Sequence, residues 1–210
     1  MRPRLEGVMN AMMCWSAYDV CIVGSMFCVC ICINLLADHV LFNGYSIVLR
    51  VLCDELAHWT SSAYVWAAVC LTTSYRKYAV FAFLCGTLSC CVDVDHFLMA
   101  DELSLNALMN LRRRPFFHVT TFTAFSNLLI YLLFRQTQYG FLTVLAFSSW
   151  FPHQVRDANR RGFTLYPFRD TPPIPQWFYL FLITVTSPVA TSLLLKGVAK
   201  SWSSPAEQIV

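Results

Sequence analysis

Residues 14–37 read CWSAYDVCIVGSMFCVCICINLLA. Apart from Asp19 the run carries no formal charge. Coiled as a helix rising about 1.5 Å per residue, it is long enough to cross a hydrocarbon core of about 30 Å. Beyond Cys14, which opens it, the run holds four cysteines, Cys21, Cys28, Cys30 and Cys32. Inside an apolar span a cysteine behaves as a small hydrophobe and needs no partner. The run Cys28-Val29-Cys30-Ile31-Cys32 also lacks the two-residue gap of common zinc knuckles. These four, and Cys70, Cys85, Cys90 and Cys91 in later runs, are read as packing residues.

Working outward from this run, the rest of the chain has the same character. Over 210 residues, 57% are hydrophobic and 13% charged, and the mean hydropathy is +0.53. A soluble chain of this length needs more charge to cover its surface. The formal net charge of +3 is small and dispersed, with no basic stripe carrying interleaved aromatics, so a nucleic-acid partner is excluded. Further apolar segments fall at roughly 47–74, 79–99, 117–134, 139–157 and 177–197. The expected fold is therefore all-α, a polytopic transmembrane bundle of about six helices, or five if the weaker 139–157 segment does not cross. Arg76 and Lys77 close the second segment, Arg135 the fourth, and Lys196 and Lys200 the last. Pro172, Pro173 and Pro175 make a stiff connector before Trp177, an interfacial aromatic.

The expected organisation is an N-terminal tail over 1–13, a single multi-pass domain over 14–200 and a disordered tail over 201–210. Arg2 and Arg4 precede the first apolar run as in a signal peptide. That run starts late and contains Asp19, so a retained span is expected. Residue 2 is Arg and the chain ends Glu207-Gln208-Ile209-Val210, so lipidation and retention motifs are absent from both ends. The expected localisation is an integral membrane protein in contact with lipids. Positive-inside counting divides the basic residues almost evenly, as it would if the arginines near Pro115 and after His153 serve a site and not topology. Neither the organelle nor a protein partner is readable.

Polar residues interrupt the segments in a pattern. Asp54 and His58 stand at i and i+4 on one helix face, Asp93 and His96 at i and i+3, and His153 and Asp157 at i and i+4. Asp95 lies beside His96, and His118 follows Arg113-Arg114-Pro115-Phe116-Phe117. Odd-numbered segments end, and even-numbered segments begin, on the same membrane face. Every one of these residues therefore falls near one face, whatever the absolute orientation. Ionisable groups at membrane depth are costly and usually face the bundle interior, where they pair or bind something. Imidazole with carboxylate suits a divalent transition metal, Zn²⁺, Mn²⁺ or Fe²⁺. Asp93, Asp95, His96, His118, His153 and Asp157 are the expected metal ligands, and Asp54 and His58 further ligands or a general base. Several aspartates would also help hold two metals about 3.5–4 Å apart. Arg113, Arg114, Arg160 and Arg161 lie on the same side and suit a phosphate or lipid headgroup. His39 has no partner on its helix face and is read as interfacial.

The stretches Asp93-Val94-Asp95-His96-Phe97, Arg113-Arg114-Pro115-Phe116-Phe117-His118 and Arg156-Asp157 with Pro167-Phe168 closely resemble the animal transmembrane protein 267 family over most of the chain. A more distant resemblance is to bacterial inner-membrane proteins of the YdjM type, described from their motifs as metal-dependent hydrolases. Asp93, Asp95 and His96 match the Pro-Asp-x-Asp-His element of those proteins. His118 matches the second histidine of their His-Arg-x-x-Thr-His-Ser element. There Arg114-Pro115 replaces His-Arg, removing one possible ligand, and Val119 replaces Ser. His153, Asp157, Gly162 and Pro167-Phe168 match the third element, with Tyr166 in place of Trp.

The resemblance implies a membrane-embedded, metal-dependent hydrolase, and because the site opens at headgroup level the expected substrate is a lipid or a phosphorylated amphiphile. Two other readings stay open. One is a non-enzymatic membrane protein with a structural or degenerate polar cluster. The other is a transporter, which needs polar residues in the other half of the bundle, where Asp19 and Ser25 are thin support.

Overall fold

The computed structural model describes residues 17–73 and 78–199. The tail over 1–13, the first three residues of the 14–37 run, Arg76, Lys77, Lys200 and the tail over 201–210 lie outside them. Among the described residues the chain is helical, with one isolated bridge between Val119 and Thr164.

Helix α1 (Ala17–Phe42) ends at an Asn43-Gly44 turn, where Gly44 takes φ +72°, a conformation other residues adopt reluctantly. Helix α2 (Ile47–Leu71) opens on Ser46, whose hydroxyl accepts from the Leu49 amide at 3.4 Å. Helix α3 (Phe81–Cys91) passes through a 3₁₀ turn, Val92–Val94, into the short α4 (Asp95–Met99). A connector carries the small α5 (Leu105–Met109), again capped by a serine hydroxyl, Ser104 accepting from the Ala107 amide. A second 3₁₀ turn, Phe116–His118, precedes α6 (Thr120–Phe134), and α7 (Phe141–Arg161) follows. Helix α8 (Gln176–Phe181) runs through a π-turn, Leu182–Thr186, into α9 (Ser187–Ala199).

The packing is built around α2 and α7. Their buried positions include Ser61, Ser62, Ser148 and Ser149, small residues that let backbones approach. The Ser62 hydroxyl donates to the Ser149 carbonyl at 3.1 Å, joining the two helices directly. On α1 the buried positions Cys30, Asn34, Ala37, Asp38 and Leu41 recur at helical spacing and form one face against this core. On α1 Val20, Val29, Leu35, Leu36 and Phe42 are apolar and exposed, as are Phe83 and Leu84 on α3, Leu128, Leu129 and Leu132 on α6, and Leu193 on α9. Apolar side chains outside and polar ones inside is the arrangement a lipid solvent favours.

Three helical stretches are long and apolar enough to cross a membrane: Tyr18–Phe42, Phe81–Met99 and Gln176–Val198. Helix α6 is apolar but shorter. Helices α2 and α7 are not among them; polar and charged residues, those of the site included, lower their hydropathy. The nine described cysteines are free; Cys30, Cys70 and Cys85 are buried packing residues, whereas Cys21, Cys28, Cys32 and Cys91 are exposed on the outside of the protein.

Candidate functional site

Each part of the site is held by a local device. Asp54 and His58 lie on one face of α2, and Asp93, Asp95 and His96 lie where α3 breaks into its 3₁₀ turn. His118 sits in the turn before α6, not on the helix itself. That turn is pinned twice through Phe117: its amide donates to Asp95 Oδ2 at 2.6 Å and its carbonyl accepts from Gln154 Nε2 at 2.7 Å. The Gln154 carbonyl oxygen in turn accepts from the Thr120 hydroxyl at 3.1 Å. His153 and Asp157 come from the buried face of α7, directly after Pro152. Helix α7 stops at Gly162, with φ +76°, where a Cβ would lie 1.9 Å from the Thr171 carbonyl oxygen. Only glycine allows the following loop to fold back there.

These groups meet in one cluster. His118 Nε2 lies 3.0 Å from Asp93 Oδ1, 3.4 Å from Asp157 Oδ2 and 3.1 Å from His153 Nε2. On its other side, His118 Nδ1 lies 3.3 Å from Asp95 Oδ1. His153 Nε2 is 3.8 Å from Asp93 Oδ2 and 3.9 Å from Asp157 Oδ2. His96 Nδ1 stands 3.4 Å from both Asp93 Oδ1 and Asp95 Oδ1. The His58 ring stacks on His153 with centroids 3.9 Å apart, and its Nε2 is 3.7 Å from both Asp54 and Asp157. His118 and His153 are buried, and His96 stands at the rim. Three triads bring a ligand atom from each member within 4.8 Å of one another: His58, Asp93 and His153; Asp93, His96 and His118; and His118, His153 and Asp157.

Guanidinium groups surround the cluster. Arg160 donates to Asp54 at 2.7 Å and to Asp157 at 2.5 Å, and Arg114 donates to Asp157 and to the Gly162 carbonyl, each at 3.2 Å. Arg161 donates to the Met109 carbonyl, and Arg113 stays exposed, away from the carboxylates. A cleft of about 340 Å³ opens on the cluster, lined by Arg114, Arg160 and Arg161 together with Leu105, Leu108 and Met109.

Residues 54–210 match the family model described as YdjM inner membrane protein. The chain belongs to that family. Among curated relatives, transmembrane protein 267 of Mus musculus is 35% identical over 164 residues, 74% of this chain and 74% of its own. The Xenopus laevis protein of that name is 35% identical over 151 residues, covering 70% and 69%. The Danio rerio one is 35% identical over 168 residues, covering 76% and 74%. No solved structure matches. Both resemblances drawn from the motifs hold, and with three membrane-length apolar helices they make this an integral membrane protein.

The match to the YdjM family begins at Asp54 and takes in every residue expected from sequence to form the site. It leaves out α1, which nevertheless supplies part of the network. Arg156, buried at 2% exposure, donates to Asn34 Oδ1 at 2.9 Å, Asp38 Oδ1 at 3.2 Å and Asp54 Oδ1 at 3.0 Å. Asp38 also accepts from the Tyr179 hydroxyl and from Gln176 Nε2. Sequence reasoning missed Arg156, Gln154, Asn34 and Tyr179 as site residues. Asn34 and Asp38 share a helix face at i and i+4, and a basic residue between His153 and Asp157 was available as a signal. For Tyr179 there was none. His39 stays exposed, but it has a partner at i+4 that its reading as unpartnered missed, Asn43 Nδ2 at 3.2 Å from its Nδ1.

Proposed function

We propose that this is a multi-pass membrane protein with six crossing segments in one unit of roughly residues 14–200, whose His/Asp cluster holds a divalent transition metal and hydrolyses a lipid or another phosphorylated amphiphile. One observation carries the reading. Around His118 Nε2 lie Asp93 Oδ1 at 3.0 Å, His153 Nε2 at 3.1 Å and Asp157 Oδ2 at 3.4 Å, and Asp157 Oδ2 is 3.9 Å from His153 Nε2, in a largely buried site. His118 Nδ1 is turned to Asp95, and with its proton there Nε2 has none to give the two carboxylate oxygens and the second imidazole nitrogen it faces. A cation serves all of them.

The donor set is imidazole and carboxylate, which suits Zn²⁺, Mn²⁺ or Fe²⁺. His118, His153, Asp93, Asp157 and His96 are the ligands in this reading. Asp95 suits a different part, holding His118 in the tautomer that leaves Nε2 free. Asp54 accepts from two guanidiniums, which supports a charge-holding role and leaves His58 as a further ligand. The bound ion would supply Lewis-acid chemistry at a phosphoryl or carbonyl oxygen. The chain itself binds and orients the substrate. Arg161 and Arg114 suit a headgroup phosphate, while Leu105, Leu108 and Met109 suit its chain. Arg113, exposed, has no part in this.

The decisive measurement is elemental analysis of detergent-purified protein beside His153→Ala and Asp157→Ala. Stoichiometric transition metal in the parent, with affinity down at least about tenfold in the variants, is expected. Parent protein that holds no metal after reloading, or variants with unchanged content, would overturn the reading.

A second reading has its own support. Asp157 is already engaged by Arg114 and Arg160, so part of the cluster is charge-balanced without an ion. In a purely structural cluster, alanine at His118 or His153 lowers the melting temperature and expression with no change in metal content.

A further inference from the structure

The distribution of charge around the cluster is uneven. Arg114, Arg156 and Arg160 face Asp38, Asp54 and Asp157, three guanidiniums against three carboxylates. Asp93 faces imidazoles and the neighbouring Glu55 carboxyl, which adds to the negative side, and Asp95 faces imidazoles. Asp95 is occupied by the Phe117 amide and by its place against His118 Nδ1. Asp93 is therefore the carboxylate whose charge is left for a cation to compensate.

Its two oxygens point at different histidines. Oδ1 is nearest His118 Nε2 and His96 Nδ1, at 3.0 and 3.4 Å, whereas Oδ2 faces His153 Nε2 at 3.8 Å. The triads Asp93, His96, His118 and His58, Asp93, His153 have only Asp93 in common. A single ion at His118, His153 and Asp157 would use neither His96 Nδ1 nor Asp93 Oδ2. Both atoms are buried and have no hydrogen-bond partner among the described residues, a costly state for ligand-type atoms aimed into a polar site.

We infer that the centre is dinuclear, with the Asp93 carboxylate bridging one ion held by His96 and His118 and a second held by His58 and His153. This rests on the reading of the cluster as a metal centre and adds to it the number of ions and the residue between them. It also separates the roles of two histidines: His96 belongs to the ion at the cleft rim, and His58 to the ion in the interior. Two ions spanned by one carboxylate form an arrangement suited to gripping a phosphoryl group on both the attacking and the leaving oxygen.

The test uses the whole chain in detergent, stripped with a chelator and reloaded with Mn²⁺ alone. Manganese per chain is measured by elemental analysis, and spin coupling by electron paramagnetic resonance. Two ions per chain with an exchange-coupled spectrum are expected. His96→Ala and His58→Ala should each hold one ion and give the spectrum of an isolated Mn²⁺. His96 stands at the cleft rim, so its replacement removes little packing. Should His58→Ala not fold, the parent's stoichiometry and coupling still decide. One uncoupled ion in the parent overturns the dinuclear assignment while leaving the metal centre standing, and no ion overturns both. Two coupled ions in His96→Ala would remove His96 from the site and overturn the partition.

Discussion

At the scale of single residues, Arg156 ties the most together. Its guanidinium is buried where α1, α2 and α7 meet, between Asp38 and Asp54, with the Asn34 carbonyl oxygen on its edge. Removing one partner of a buried ion pair strands the other, at about 3–5 kcal/mol. Arg156→Ala should therefore lower the thermal midpoint sharply, and Asp38→Asn should cost less in that background than in the parent. Additive costs in this double-mutant cycle would show that the two charges are not coupled. Arg156 also shows where reading the sequence runs out. The even split of basic residues across the two faces hinted that some arginines serve a site, and Arg114, Arg156 and Arg160 do engage buried carboxylates. Nothing in the sequence tells which carboxylate each one meets. The same-face grouping of the histidines was legible because span order alone dictates it. The part of Tyr179 depends on how α8 packs against α1, and spacing carries no trace of that.

At the scale of elements, the apolar segments marked out the helices, and the departures lie at their ends and breaks. The 79–99 segment is interrupted by a 3₁₀ turn at Val92–Val94, which aims Asp93 and Asp95 into the cluster. The fourth segment begins as a helix only at Thr120, because Asp95 and Gln154 hold Phe117 in a turn. The last segment contains a π-turn with a sequence cause that went unread. Pro188 has no amide proton to give the Thr184 carbonyl. That carbonyl accepts instead from the Tyr64 hydroxyl of α2 at 2.9 Å, so the proline is tolerated because a neighbouring helix satisfies the freed group. Tyr64→Phe should then destabilise by about 1–3 kcal/mol, the cost of an unmet buried acceptor. Restoring the donor with Pro188→Ala in the same chain should recover much of that. If Pro188→Ala stabilises parent and Tyr64→Phe protein equally, the Tyr64 bond is not what compensates for the proline.

At the scale of the molecule, the buried polar groups on α2 and α7 and the apolar exterior fit the proposed six crossings, in which these two are interior helices although their own hydropathy does not qualify them. Helix α6 poses the harder question. Its 15 residues span about 22 Å, less than the hydrocarbon core, so crossing requires the bilayer to thin locally or the flanking turn at Phe116–His118 to sit at depth. The second option agrees with a buried His118 at the cluster. Six crossings place the connectors at Asn43-Gly44, Asp101-Glu102 and Arg169-Asp170 on the same face as the site, and the connector at Gln136–Gln138 on the other. Protease sites inserted singly at these four positions, in sealed vesicles of one orientation, should be cut from one side for the first three and only from the opposite side for the fourth. Cleavage at 136–138 from the same side as 101–102 would mean that α6 returns without crossing. Cleavage at 169–170 from the side that cuts 136–138 would remove α7 as a crossing helix. The cluster would then lie at the end of a re-entrant element, and the count would fall to five.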